Sequence, residues 1–534
     1  MATIDDKKDP IGLVEGGVLD EMDEEVRRHA ELEAKINRDL DEKILSNPNA
    51  FPKAVFFIIP NEMGERFCFY GINPLLKDYL KEFVGYKSNK AEAMVHVYKS
   101  VTYFFPLVGA AISDSFLDKY KTIVSLSTVY LLGVSLLAIF SKPGVIGTPP
   151  TVPEWGPLLG LFLIAFGTGG IKPCVSSHGG DQFLSVQKLE LNKFYNYFYM
   201  SINVGAVAAG FITPAIKNRS CYGLEGGKDC YAWAFGVCAM AFALAMSVFI
   251  VGKLFYRVVP PAGQFIPWQL LKTAISYSKN ALTNGFNHEQ AKAAAAESQG
   301  ETNVLELFDL LRVIMVISPA PFFWMAFDQN NTSWQSLTDQ MNRSVWPSSE
   351  TINAVMNPLL IVILAPIWAN FIYPAIERRV QFGLLRRMVV GMLLCGLAFI
   401  VCGVIQTRVS NNCVDREFTN AGTVSTECID DGISTPIFIL PYFIMTTGEI
   451  LFSISGLNFT YMEVGKRTKS SCAALWLLGT ALGNVFATAL FESPIGDTDH
   501  HGRAKFFYIN AGICFAAAVL QMVLNRYYVY KADR

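Results

Sequence analysis

Glu62, Glu65 and Arg66 lie inside an apolar run, FPKAVFFIIPNEMGERFCFYGINPLL. Their i, i+3, i+4 spacing puts three ionisable side chains on one face of a helix. Each charge near the centre of a membrane-spanning helix costs about 3 kcal/mol, so three would cost roughly 9 kcal/mol unless they pair or face water. A hydrophobic anchor has no use for them. Carboxylates that share a guanidinium can accept a proton, release the arginine and change its partners, the chemistry of a proton or charged-solute pathway. Arg66 can reach Glu62 one turn away, with Glu65 on the adjoining face. The competing reading is an ion network that only fixes helix packing.

Other polar residues interrupt apolar runs in the same way. Lys172 precedes Pro173 in FGTGGIKPCVSSHGGDQF, where proline opens the helix ladder and the glycines allow close helix approach. It is either the cation of a polar cavity or a lysine snorkelling to the interface. Glu449 is the one acid of TTGEILFSISG and needs a partner or a ligand. Asn357 could serve the same end of a ligand or make a helix–helix hydrogen bond. Tyr70, Tyr103, Tyr199 and Asn203 offer neutral hydrogen bonds. Trp324 and Trp476 could wall pockets, although tryptophan and tyrosine also mark membrane interfaces. His96, in VHVYKSVTYFFP, titrates in the physiological range; facing the acid Asp328 of FWMAFDQ, it could form a gate that opens on protonation. Arg312 stands sixteen residues before Asp328, about 24 Å away along a helix, and so needs another partner, near an inside gate.

These residues sit in a chain of 534 residues that is 51% hydrophobic and 17% charged, against about 25% charged in soluble domains. The apolar residues come in blocks of membrane-spanning length, about twelve, near 55–80, 94–113, 122–140, 156–178, 196–215, 231–254, 310–328, 352–374, 386–406, 434–458, 471–491 and 505–526. The first 50 residues are polar, without the apolar core or cleavage site of a signal peptide, and read as a cytosolic tail whose LDEMDEEVRRHAELEAKINRDLDEKIL could form a surface helix. Lys119, Lys121, Arg378, Arg379, Arg386, Arg387, Lys466, Arg467 and Lys469 fall in alternate short loops, and Arg526, Lys531 and Arg534 follow the last block. Basic loops stay inside, so both termini are expected in the cytosol; the Lys-rich loop after the first block is the exception. Cys221 with Cys230, and Cys413 with Cys428, bracket outside loops and could close disulfides in an oxidising compartment. Asn218 and Asn342 head N-x-Ser sequons in outside loops. No Cys/His cluster has metal spacing, no like-charge run suggests nucleic acid, no phosphate-binding loop suggests ATP, and no nucleophile–base set suggests an enzyme.

A polar stretch from 258 to 306 divides the blocks six and six. That plan resembles the major facilitator superfamily, whose halves rock around a midplane site. GAAISDSFLDKYKTIV is similar to that superfamily's loop motif, with Asp114 followed by basic residues and with Asp118 where glycine is usual; the resemblance gives Asp114 a packing role at the inside face. NEMGERFCFYG resembles the E-x-x-E-R-F-x-Y-Y-G signature of the proton-coupled oligopeptide transporter family, with Phe69 in place of the first tyrosine. FGTGGIKPCVSSHGGDQF, FYMSINVGA, FFWMAFDQNNTSW, NPLLIVILAPIW and GEILFSISGLNFTYM are similar to further segments of its animal peptide carriers.

The resemblance implies an all-α membrane protein of about twelve spans in two bundles: tail 1–50, bundle 51–257, cytosolic linker 258–306, bundle 307–530. It implies proton coupling at Glu62, Glu65, Arg66, His96 and Asp328. It implies peptide contact at Arg66, Tyr70, Tyr103, Lys172, Tyr199, Asn203, Trp324, Asn357, Glu449 and Trp476, with Lys172 toward the carboxylate and Glu449 and Asn357 toward the amino end. The expected activity is import of di- and tripeptides with protons through a plasma membrane, with no other cofactor. Import of another small solute (histidine, nitrate or a conjugate) and peptide sensing without transport stay open.

Overall fold

The structure is a computed structural model that describes residues 24–47, 49–149, 152–223, 230–259, 266–283, 286–345, 348–420, 423–464, 468–495 and 503–530. Residues 1–23 of the tail and the basic residues Lys466, Arg467, Lys531 and Arg534 lie outside them. The N-terminal half contains α1 (Glu24–Ser46), α2 (Val55–Asp78), α3 (Ser88–Phe104), α4 (Pro106–Ser115), α5 (Lys119–Phe140), α6 (Trp155–Gly180), α7 (Lys188–Lys217) and α8 (Tyr231–Val251). The expected linker holds α9 (Ile266–Thr283) and α10 (His288–Gln299). The C-terminal half contains α11 (Glu301–Ile317), α12 (Ala320–Phe327), α13 (Ser333–Asp339), α14 (Ser349–Ile367), α15 (Tyr373–Glu377), α16 (Leu384–Asn412), α17 (Ile439–Glu449), α18 (Ser455–Glu463), α19 (Lys469–Glu492) and α20 (Arg503–Tyr527).

Among the described residues nine helices are long and apolar enough to cross a membrane, and a tenth span forms if α11 and α12–α13, bent by 47°, count as one. The remainder of the twelve is α2 and the α3–α4 pair. α2 carries Glu62, Glu65, Arg66, Lys77 and Asp78, all buried, and α3 carries Glu92, His96 and Lys99, also buried. Pro106 opens α4, so the second span is broken at Phe105. The two spans with the weakest apolar signature are therefore those with the most interior charge.

Among the described residues apolar burial forms two large cores, with a small third cluster of Ala93, Phe491 and Phe506 between the halves. One draws on residues 54–256 and the other on residues 270–528. Within the first, α3, α4 and α6 approach closely because their contacts are glycines: a Cβ on Gly169 would strike the Thr102 carbonyl oxygen, and one on Gly109 would strike Gly170. Asp118 is a buried N-cap of α5, accepting from Lys121 N at 2.7 Å; that accounts for an aspartate where the superfamily loop has glycine. On the face that carries both termini, α1 is docked by Asn37 on the Val258 backbone (2.7 and 3.0 Å) and by Asp41 on Arg257 (2.9 Å), so at least part of the tail is packed. Three short strands, β1 (Met341–Asn342), β2 (Val414–Asn420) and β3 (Thr423–Ser434), form a small sheet in the order β1-β3-β2 on the opposite, far face.

The two halves are clasped at the far face. Lys77 Nζ is 2.7 Å from Asp339 Oδ2, Lys217 Nζ is 2.9 Å from Glu350 Oε1, and Lys99 Nζ is 3.0 Å from Asp328 Oδ1. Each cation comes from the N-terminal half and each acid from the C-terminal half. Glu92 reverses the polarity, accepting from Ser336 (2.6 Å) and pairing with Arg503 (3.2 Å). Cys221–Cys230 and Cys413–Cys428 are disulfide-bonded, and both bridges lie on this face.

Lys217 and Glu350 are both buried, and Lys217 also lies 3.6 Å from Glu82, so it is removal of the lysine that strands its partner Glu350, at a cost of about 3–5 kcal/mol. Lys217→Ala should open the far face to an aqueous thiol reagent that reports on a cysteine placed beside Tyr70. The combined Lys217→Met/Glu350→Leu variant, which strands neither charge, should close it again. Equal accessibility in the single and combined variants would show that the pair does not hold this face shut.

Candidate functional site

The first-span cluster forms as its spacing suggests, with one addition. Arg66 Nε lies 2.9 Å from Glu62 Oε1 and 2.6 Å from Glu65 Oε2, so the guanidinium is shared between both acids. The hydroxyl of Thr168 on α6 donates to Glu65 Oε1. A close contact between Gly205 of α7 and Met63 of α2 brings a third helix against the same turn. All three charged groups are withdrawn from solvent, and their exchangeable partners are one another.

Lys172 enters the same space from α6. Its Nζ is enclosed and has no hydrogen-bond partner among the described residues. It stands 3.8 Å from the ring centre of Tyr103 and 4.5 Å from that of Phe69. Cation–π attraction is worth about 2 kcal/mol when desolvated, less than an ammonium loses by giving up its hydrogen bonds in a low-dielectric site. Tyr103 thus meets Lys172 with its ring. Tyr70 packs edge-on against Phe69 at 5.5 Å. Tyr199 is half-exposed on α7, and Asn203 turns its amide to the Tyr199 carbonyl at 2.9 Å.

Across from these, Glu449 ends α17 where the chain passes into a π-helical turn, Ile450–Ile454; such turns concentrate at functional positions. Asn357 on α14 donates to Glu449 Oε2 at 2.6 Å and to Thr446 Oγ1 at 3.1 Å. Among the described residues Glu449 has no cationic partner. It is within electrostatic reach of Tyr70 and Tyr199, which places it opposite the N-terminal half. Trp324 and Trp476 meet nearly at right angles, 6.3 Å apart, with Phe452 beside both. The enclosed Trp324 Nε1 has no partner.

His96 and Asp328 are brought together, but not as a direct pair. Asp328 takes Lys99 as its cation, and Asn484 on α19 stands between the acid and the imidazole. Asn484 Nδ2 donates to Asp328 Oδ2 at 2.7 Å and to the Thr480 carbonyl at 2.9 Å. Its Oδ1 is thereby left as acceptor toward His96 Nδ1, 2.8 Å away. The other nitrogen, Nε2, is 3.1 Å from Thr332 Oγ1, a hydroxyl that can donate to it or accept from it. When Nε2 is protonated, Thr332 can turn its own proton to the Gln329 carbonyl at 3.2 Å. Both protonation states of His96 are therefore satisfied without moving a helix.

Of the remaining expectations, Arg312 is half-exposed and lies 3.6 Å from Asp309, three residues back on α11, so its partner is local. Asp114 sits on α4 with its side chain outside the described residues. Asn342 donates to the Asp431 carbonyl at 3.0 Å, and Asn218 caps the C-terminus of α7 on the far face. Sequence reasoning missed Lys99, Asn484, Thr332 and the Lys77 and Lys217 pairs. Lys99 was within reach, since it is three residues from His96 on one helix face. Asn484, a lone amide in an apolar run, carries the same kind of signal as Glu449.

Known proteins resemble this chain in sequence and in fold. A family profile described as "POT family" matches residues 120–494. The match begins after α2, so the reading of the Glu62–Glu65–Arg66 cluster rests on its own residues. Solute carrier family 15 member 1 of Homo sapiens is 33% identical over 442 residues, 78% of this chain and 60% of that protein. Peptide transporter family 1 of Drosophila melanogaster is 35% identical over 371 residues, 68% of this chain and 49% of that protein. The chain thus spans about half to three fifths of the length of these curated relatives. Among solved structures, the POT family transporter PepTSo superposes with a TM-score of 0.72 at 28% identity, over 89% of this chain and 98% of its own. An auto-inhibited POT family peptide transporter does so with 0.73 at 26%, over 90% and 99%. With a fold shared over about nine tenths of its length with these transporters and a profile match across well over half of it, the chain is a multi-pass membrane protein that belongs to the POT family.

Proposed function

We propose that the protein is a proton-coupled symporter that imports di- and tripeptides by alternating access, its residues 51–257 and 307–530 rocking about the site and joined by the 258–306 linker. One observation carries the substrate class. The N-terminal half presents an enclosed cation without a hydrogen-bond partner, Lys172, and the C-terminal half presents an acid without a cation, Glu449. A zwitterion bridging the halves satisfies both, its carboxylate at Lys172 and its α-ammonium at Glu449. Nitrate has nothing to offer Glu449. Tyr70, Tyr199 and Asn203 are neutral partners for a peptide backbone whose side chains vary. Several relatives bear the names of peptide transporters.

The coupling reading rests on the α2 cluster and on His96. One proton falling through 100 mV yields about 2.3 kcal/mol, and one pH unit adds about 1.4 kcal/mol. Together these support several-hundred-fold accumulation of a neutral peptide. Protonating Glu62 or Glu65 frees Arg66 to meet other anions, and an imidazole whose neighbours accept either protonation state suits a group that charges and discharges in each cycle.

The clasped far face is read as the outside and the terminal face as the cytosolic side of a plasma membrane. The basic loops favour this, and both disulfides lie where an oxidising compartment would form them. Tags at the two termini and within 284–287 should resist external protease in intact cells; cleavage of the 284–287 tag would reject this orientation.

Uptake of labelled dipeptide into proteoliposomes, with an imposed pH gradient and potential, tests the whole reading and separates a carrier from a receptor that binds without transport. Glu449→Gln should weaken peptides with a free α-amino group by roughly ten- to a hundredfold, the loss of one charge-assisted hydrogen bond, and N-blocked peptides far less. Lys172→Gln should discriminate in the same way between free and amidated carboxyl ends. Equal losses for free and blocked peptides would remove these residues from the two ends of the ligand.

Thr332→Val keeps the volume beside His96 but removes the hydroxyl that adapts to its proton. It should depress proton-driven influx severalfold more than peptide exchange at equal pH, because exchange needs no proton-driven return. An unaltered ratio of influx to exchange would return His96 and Thr332 to a packing role.

A further inference from the structure

α9 has a surface that nothing among the described residues covers. One side of this helix packs inward: Leu270 is buried in the apolar core with Leu307 and Leu310 of α11. The Tyr277 hydroxyl meets His288 Nδ1 of α10 at 2.7 Å, and its ring lies edge-on to Phe308 at 5.1 Å. The opposite side is a stripe of large apolar residues at helical spacing. Trp268 is 53% exposed, Leu271 48%, Ile275 58% and Leu282 67%. Lys272 and Lys279 run along one edge of the stripe, and the eighteen residues of α9 contain no acid. α10, its hairpin partner, buries Ala291 and Ala295 and exposes Glu289, Gln290 and Glu297. The hairpin therefore has one polar outer surface and one apolar, basic outer surface.

Depth selects the occupant of the apolar one. α9 meets α11 at Phe308, whose ring takes Tyr277, and Phe308 precedes Asp328 of the far-face clasp by twenty residues. At 1.5 Å per residue that is about 30 Å along the helices, shortened by the 47° bend between α11 and α12 and so close to the thickness of a hydrocarbon core. The crossing thus falls at the bilayer boundary of the terminal face. A helix with an apolar stripe, an interfacial tryptophan and lysines at the stripe's edge lies in the plane of such a boundary.

We propose that α9 is an interfacial helix of the terminal-face leaflet, its stripe set among acyl chains and Lys272 and Lys279 placed on anionic phospholipid headgroups. Lipid of that charge is then a ligand of the linker that joins the two halves.

The test uses the full-length protein in liposomes, with an environment-sensitive fluorophore on Ile275→Cys. Phospholipid brominated on its acyl chains should quench the label, and aqueous iodide should not. A label on Glu289→Cys of α10 should behave in the opposite way. Brominated phosphatidylglycerol diluted into phosphatidylcholine should quench the α9 label as if enriched about fivefold, the effect of one lysine at an anionic surface. Lys272→Gln/Lys279→Gln should abolish that enrichment and leave quenching by uniformly brominated lipid intact. Quenching by iodide would put the stripe in water and overturn the proposal. Protection from both quenchers would mean that protein, such as a second copy of this chain, covers it. Equal quenching by the two lipid classes in the unaltered helix would reject the headgroup contact. Leu282→Cys reports on the same stripe if Ile275→Cys does not fold.

Discussion

An ionised side chain in a hydrocarbon phase must be paired or wet, because leaving it alone costs about 3 kcal/mol or more, a large share of the net stability of a folded structure. That constraint organises this molecule. Acids and bases withdrawn from solvent on α2 and α3 find partners on other helices or on their own turn, and the partners decide which helices sit together. Thr168 ties α6 to α2 through Glu65. Lys99 ties α3 to the end of α12 through Asp328. The close glycine contacts among α3, α4 and α6 then bring the backbones near enough for short side chains to complete the pairing.

The same constraint gives the pairs at the far face a different meaning from the unpaired groups at the centre. Lys77–Asp339, Lys217–Glu350 and Lys99–Asp328 are complete across the boundary between the halves, so they favour the arrangement in which the boundary is shut. Lys172 and Glu449 are incomplete and face one another's half of the chain. Under the proposed function, a ligand that completes them contributes its binding energy toward bringing those walls together, and it carries both charges to do so. Neutral groups between the charged ones let the balance shift. Asn484 fixes the orientation of an acid and an imidazole at once, and Thr332 adapts to a proton by turning one bond.

Much of this was legible in the chain, and the physical reason is that charge in an apolar run is rare and expensive. Glu62, Glu65, Arg66, Lys172 and Glu449 announce themselves by their surroundings, and each is drawn into an interior contact or left enclosed: the first three share one cluster, Lys172 meets two rings, and Glu449 accepts from Asn357. What could not be read is pairing between distant segments. His96 and Asp328 lie near one another, yet the cation of that acid is Lys99 and the group between them is Asn484, because the choice depends on which turn of α3 faces α19. Lys217 and Glu350 sit at the ends of their spans, where a lone charge looks like an ordinary interface residue. The number of spans shows the converse: α2 and the α3–α4 pair fall short by hydropathy because of the residues that make them useful.

The tail and the linker show how far amphipathic patterning can be trusted. Both are polar stretches with a helical repeat, and both fold into helices, but their faces have different fates. α1 docks through a hydrogen-bonding pair, Asn37 on the Val258 backbone, and through Asp41 on Arg257, contacts that no hydrophobic pattern encodes. Arg257 itself is held by Gln182 and by the Asp181 carbonyl at the start of the loop before α7, and Asp181 holds Lys119 at the start of α5. The tail is thereby joined to the ends of three spans on one face through charged and amide groups rather than through apolar packing. Such contacts can be exchanged for water at small cost, whereas the buried pairs of the opposite face can open only when something replaces what each charge loses.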